Sequence, residues 1–269
     1  MHLFEYSSPK RSDKCYLQSM KRNTLFVLLS ILITAALTFL ITKFILDLSS
    51  KDRLMEQQNN YDTAIYFNEI CIGSEYEFVL PLTHKFTKPG KLYVVKDSSY
   101  TEQMKFVTEV LKEFNKLTTD GFHITQTSDS ASANMYLYLR GDKDLTKIPR
   151  FAKAPVDDGL VGYFDSRFTD NRITDAFIFV NTNKTFSEQK AAILEEIVQS
   201  VGFFKDSDFY TNSVFYQYKY LFKVKTHTLS FQDKEIIKLL YNPKMKVGLN
   251  KRQAMEINMM LLKESDDRR

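Results

Sequence analysis

Residues 185–202 read TFSEQKAAILEEIVQSVG, and the fold is built around them. Thr185 with Glu188 three positions on is a capping box, in which each side chain satisfies a backbone N–H that the first helical turn leaves orphaned. Apolar residues carry the helix to Val201, and Gly202 stops it, because glycine accepts the backbone conformation that closes helices. Upstream, Asp175–Asn181 (DAFIFVN), Asn134–Arg140 (NMYLYLR), Gly121–Thr127 (GFHITQT) and Lys91–Lys96 (KLYVVK) read as strands, with a shorter one at Val161–Phe164. A loop with Pro149, Pro155 and Asp157-Asp158-Gly159 precedes that shorter strand. Met104, Phe106, Val107, Val110, Leu111, Phe114 and Leu117 recur at spacings of three and four and predict a helix over 101–117. Downstream, Ser230 with Asp233 in the first turn opens a helix that ends at Tyr241, before Pro243. The order β-α-β-β-(β)-β-α-loop-α predicts an α+β domain with a mixed sheet, two main helices and a C-terminal helix. For that last helix, Met255, Met259, Met260 and Leu262 give the face expected to dock on the domain, and Glu264–Arg269 is expected to fray.

Further toward the N-terminus, residues 23–42 (NTLFVLLSILITAALTFLIT) carry no charge. As a helix they span ~30 Å, the thickness of a bilayer's hydrocarbon core. The run is apolar on every side, unlike a helix of a soluble domain, and it exceeds the roughly 7 to 15 residues of a secretory signal's apolar region. One transmembrane signal anchor over residues 23–46 is expected. Lys10, Arg11, Lys14, Lys21 and Arg22 precede it and outnumber Lys43, Lys51 and Arg53 after it. The positive-inside rule therefore makes residues 1–22 cytoplasmic and the remainder extracytoplasmic, periplasmic or extracellular. Residues 47–60 read as a polar stalk, 61–250 as the domain and 251–269 as the C-terminal helix and tail. Cys15 and Cys71 then lie on opposite sides of the membrane, which leaves Cys71 as a buried small hydrophobe.

Composition removes several function classes. The chain has 269 residues, 43% of them hydrophobic, with 8 Gly and 6 Pro, which excludes collagenous and wholly disordered chains. Two cysteines and four scattered histidines (His2, His84, His123, His227) exclude a disulfide scaffold and a local zinc module. The net charge is +4, of which residues 1–22 hold +3, so no basic face for nucleic acid is expected.

Aligned on Gly202, Glu195-Glu196-Ile197-Val198-Gln199-Ser200-Val201-Gly202-Phe203-Phe204-Lys205 resembles the metzincin zinc-peptidase helix H-E-x-x-H-x-x-G-x-x-H. Ser213-Val214-Phe215-Tyr216 is similar to the Met-turn of that superfamily, and Leu229-Ser230-Phe231-Gln232-Asp233 through Leu240-Tyr241 resembles its closing helix. Within the superfamily the chain resembles an uncharacterised bacterial family, domain of unknown function 2927. That likeness rests on Tyr66-Phe67-Asn68-Glu69-Ile70 with Gly73-Ser74-Glu75-Tyr76, on Lys85-Phe86 leading into Leu92-Tyr93-Val94, on the E-E-x-x-Q-x-x-G helix, and on Leu239-Leu240-Tyr241-Asn242-Pro243 ahead of Gly248. It covers residues 61–250 and implies a zincin/metzincin-like mixed sheet.

The departures decide the chemistry that the resemblance implies. Metzincin histidines offer neutral imidazoles to zinc and the intervening glutamate polarises the bound water. Here the ligand positions hold Glu195, Gln199 and Lys205, and only Glu196 matches, at the general-base position. An ammonium repels a divalent ion and an amide oxygen is a poor zinc ligand, so no metal and no cofactor are expected. Lys205 folding back to pair with Glu195 and Gln199 is one account of these residues; a solvated helix face is the other. Glu195, Glu196, Gln199, Lys205 and Tyr216 form the candidate binding site, with Glu196 the catalytic residue if there is one. The Asp157-Asp158-Gly159 and Asp206-Ser207-Asp208 clusters read as turns rather than calcium loops. The leading functional reading is a membrane-anchored, catalytically inactive peptidase-like module that recognises a peptide or protein. A structural subunit of a cell-envelope complex is the alternative. The third reading is a hydrolase around Glu196, including one with a metal on Glu195, Asp206 and His227. The oligomeric state does not follow from the sequence.

Overall fold

The computed structural model describes residues 12–73, 80–152, 154, 159–217 and 226–267, and within the first helix it leaves out the side chains of 12–32, 36 and 47–53. Lys10, Arg11, Ser74-Glu75-Tyr76, Pro155 and Asp157-Asp158 lie outside the described residues, as do the side chains of Lys14, Cys15, Lys21 and Arg22. The chain forms two compact units, Met1–Gln58 and Asn59–Arg269.

Helix α1 (Ser12–Cys71) carries the first unit and continues into the second. With no Pro or Gly between 12 and 71, nothing in the sequence breaks it. Residues 47–60, read as a polar stalk, are helical within it. Phe39 and Phe44 are 69% and 64% exposed, and the apolar residues around them are likewise open. Among the described residues no helix is long and apolar enough to cross a membrane. The side chains of residues 23–32, half of the uncharged run, lie outside that set.

The second unit is an α+β domain on a six-stranded mixed sheet. Its strands are β1 (Lys85–Phe86), β2 (Gly90–Lys96), β3 (Ile124–Gln126), β4 (Met135–Arg140), β5 (Gly162–Thr169) and β6 (Arg172–Asn181), in the order β1-β6-β4-β2-β3. These neighbours are all parallel. β5 alone runs antiparallel, along the other side of β6. The β5–β6 hairpin turns through Asp170 and Asn171, both at positive φ as the tight hairpin turn requires. Sequence reading found only the first residues of β5, because Arg167–Thr169 are exposed and lack alternation.

Alternating strand residues divide between the two sheet faces. Leu92, Leu137, Leu139, Ile178 and Val180 enter the main core, under α2 (Thr101–Asn115) and α3 (Phe186–Gln199). Tyr138, Tyr163, Phe177 and Phe179 face the other way and pack with Leu145 and Phe151. Those two residues come from 3-10 turns at Asp142–Lys147 and Pro149–Phe151, in what the sequence reads as loop; single-turn elements leave no periodic signal.

Helix α4 (Phe231–Leu240) begins at Ser230 as expected, and Ser230 and Asp233 close a capping box there. Helix α5 (Lys251–Asp266) takes in 264–266 of the residues read as a fraying tail, and residues 268–269 lie outside the described residues. Met255, Met259 and Leu262 of the expected face pack against the core, with Ala254, Asn258 and Leu261 buried beside them, whereas Met260 is 42% exposed. Gly202 sits at φ 124, against the carbonyl oxygen of His84, where any side chain would collide. Lys85 is buried and donates to Asp120 (2.7 Å) and to the carbonyls of Leu240 (2.9 Å) and Asn242, which ties β1 to the end of α4. Burial pushes its ammonium pKa down, and Asp120 opposes that shift.

Candidate functional site where helix α3 meets edge strand β5

The last two turns of α3 lie along β5. A Cβ on Gly162 would stand 2.7 Å from Glu196 Cγ and 2.9 Å from Ala192 Cβ, so the glutamate packs directly on the strand backbone. Further along, Ser166 Oγ donates to the carbonyl of Ser200 at 2.9 Å. Asn181 N–H donates to Val161 O. With the register Tyr163↔Phe179 and Asp165↔Phe177, this makes the odd-numbered residues of β5 the hydrogen-bonded partners of β6. The backbone groups of Phe164 and Ser166 then point away from the sheet.

Glu195, Glu196 and Gln199 are 7%, 7% and 6% exposed. The solvated-face alternative is thereby overturned: α3 is covered from Ala192 to Gln199 because it is wedged between the sheet, α2 and the chain that follows Gly202. Glu195, Glu196 and Asp206 all have interaction partners. Gln199 Nε2 donates to Asp206 Oδ1 at 2.8 Å. Lys205, partly exposed, makes no ion pair with Glu195 or Glu196 among the described residues. The expected Lys205 contact is thus replaced by one from Asp206.

Ser213–Tyr216 forms the turn beneath this region. Phe215 is fully buried and stacks on Phe203 with ring centres 5.7 Å apart. Tyr216 is buried and pairs its backbone with Ser207; its N–H donates to Ser213 O. What holds the turn is Asp233, which is fully buried. It accepts from Ser213 Oγ at 2.6 Å, from Val214 N–H at 3.1 Å, from Ser230 N–H at 2.9 Å and from Tyr66 OH at 3.3 Å. Tyr66 OH also lies 2.6 Å from Ser213 Oγ. Burial, reinforced by the Asp233 charge, pushes the Tyr66 phenol well above its usual pKa. The sequence placed Asp233 only in the first turn of a helix; its reach to Tyr66 and Ser213 across the chain leaves no local signal.

Two histidines settle elsewhere. His227 Nε2 lies 3.1 Å from Ser187 Oγ at the start of α3, two turns or ~12 Å of helix from Glu195. The Glu195, Asp206 and His227 set is therefore not assembled, and among the described residues no group of three His, Cys, Asp or Glu side chains could hold a metal. His84 is buried between Phe168 and Phe204, its Nδ1 2.8 Å from Leu82 O. Cys71 is a buried free thiol whose pKa burial raises. Clefts of about 260 Å³, around Lys88 and Arg172, and about 520 Å³, between α2 and β3, include no residue of α3.

Fold and site together define an α+β domain in which a buried acidic helix lines an antiparallel edge strand. The sequence model of the family described as "Protein of unknown function (DUF2927)" matches residues 60–258, and the chain belongs to that family. No curated protein matches the chain.

Proposed function

We propose that this chain is a single-pass membrane protein, anchored through residues 23–46 with its N-terminus cytoplasmic. Its domain is a metzincin-like fold without catalysis that captures an extended peptide or protein segment along β5. The observation that carries this reading is the antiparallel edge strand with outward backbone groups at Phe164 and Ser166, lined by the end of α3. An unpaired strand edge recognises an extended chain through main-chain hydrogen bonds, and pockets beside it select side chains. The resemblance supports the metzincin-like part: α3, the Ser213–Tyr216 turn and α4 follow in the order of the peptidase motifs, and Asp233 ties the last two together. The donor set does not fit zinc. Gln199 is engaged with Asp206, Lys205 brings a positive charge, and without a Lewis acid Glu196 and water lack the main means of polarising a carbonyl.

The anchor is supported by the uncharged run at 23–42 and by the open apolar side chains from Ile33 to Leu46. A structural subunit of an envelope complex is the second reading, favoured by the same anchor. Selection of displayed random peptides on the full-length chain in detergent micelles tests peptide capture. Extended binders should weaken when alternate backbone nitrogens are methylated, and binders insensitive to methylation would refute strand addition. Protease added to intact spheroplasts should remove the domain; protection would reverse the orientation.

A further inference from the structure

Helix α5 is attached through a seam unlike the rest of the core. Asn60 Nδ2 donates to Asp266 Oδ2 at 2.6 Å, and Asn68 Nδ2 donates to Lys251 O at 3.1 Å and approaches Met255 Sδ. These contacts make the end of α1 and α5 antiparallel neighbours. The α1 stripe is Asn60, Ala64 and Asn68; on α5, Met255, Asn258, Leu262 and Asp266 follow at helical spacing. Asn258 falls between the two fixed ends and is fully buried. Its Oδ1 and Nδ2 both lack hydrogen-bond partners, as does Asn68 Oδ1. Buried polar groups left unpaired weaken a contact relative to an apolar one of the same shape. The loop before α5 is pinned, since Gly248 N–H donates to Thr83 O and Leu249 N–H to Thr83 Oγ1. Any release of the helix would therefore begin at Asn250.

We propose that α5 is a strap that lifts from α1 as a unit while the rest of the domain stays folded, its looseness set by Asn258. Ala254, Leu261 and Leu262 bring α5 into the main core, and the unpaired amide of Asn258 beside them lowers the free energy of opening this helix below that of the global transition. Lifting exposes the Asn60–Ala64–Asn68 stripe of α1.

Hydrogen exchange of the full-length chain in detergent micelles tests this. Amides of 251–266 should exchange together, about tenfold or more faster than those of α3 and α4, and Asn258→Leu should slow them by about tenfold or more. The variant Asn258→Asp, which buries a charge at the same position with nearly the same shape, should speed them about tenfold or more while α3 stays protected, and serves if Asn258→Leu fails to fold. Protection of α5 equal to that of α3 in the wild type, as a buried water bridging the two asparagines would give, overturns the proposal. So does unchanged α5 exchange in a variant whose α3 remains protected.

Discussion

Replacing Asp233 with alanine should be among the most damaging single changes in the domain. The carboxylate is fully buried and receives two backbone N–H groups, Val214 and Ser230, and two hydroxyls, Ser213 and Tyr66. If Asp233 acted only as a helix cap, the loss would be about 1 kcal/mol. Alanine leaves the two N–H groups with no way to reorient, at about 1 to 3 kcal/mol each, whereas the hydroxyls can rotate toward each other. A loss of about 4 kcal/mol is expected. At about 2 to 4 °C per kcal/mol for a domain of this size, the melting temperature should fall by roughly 8 to 16 °C. Asp233→Asn should cost less, because its amide oxygen can face the backbone donors while its NH2 meets hydroxyls that accept. Thermal unfolding of the full-length chain in detergent, followed by near-UV circular dichroism, reads both variants. A loss near 1 kcal/mol for alanine, or equal losses for the two variants, would refute the argument that Asp233 holds turn, helix and α1 together.

Gly162→Val should destabilise the domain by about 1 to 3 kcal/mol, since its side chain must displace Glu196 and Ala192, and Glu196→Ala in the same chain should recover part of the loss; urea titration showing no recovery would mean the clash lies elsewhere. Burial holds the folded pKa of His84 below its usual value, so the folded state favours the neutral ring. The stability this contributes is complete above the unfolded value of about 6.5 and is lost as pH falls from there through the lowered folded pKa. His84→Gln should flatten that acid-side decline in melting temperature, and an unchanged slope would discount the histidine. Chelator should leave the melting temperature unchanged, with zinc substoichiometric on purification, because no folding energy is linked to a metal. Glu195→His, Gln199→His and Lys205→His together should then bind zinc only if the three positions converge. Stoichiometric zinc in the wild type would contradict the reading of the donor set.

Of the three capping boxes, at Thr185, Ser230 and Asn250, the first was readable because a cap and its partner lie three residues apart, and the helix start at Ser230 was readable too. Apolar alternation likewise located β2, β4 and β6. Two-residue β1 is too short to carry a period, and β5 loses its alternation where it becomes an exposed edge. Within the site, Glu195, Glu196 and Gln199 were named through the resemblance of α3 to a peptidase motif, but their burial could not be read, because it depends on what covers the helix. Asp206 displaced Lys205 for a similar reason: the path of the chain after Gly202 decides which neighbour turns back. Gly162 and Ser166 had no sequence signal, since a glycine and a serine in a strand acquire meaning only from the helix laid against them.

The central claim is that β5 is the recognition edge, and the most direct test is amide exchange at single-residue resolution along that strand. With a selected peptide bound, the N–H groups of Phe164 and Ser166, which point away from β6, should become protected, while Tyr163 and Asp165, already paired with Phe179 and Phe177, should change little. Such alternation is what strand addition predicts. Uniform protection along β5, or protection confined to α5 or to the cleft between α2 and β3, would contradict it.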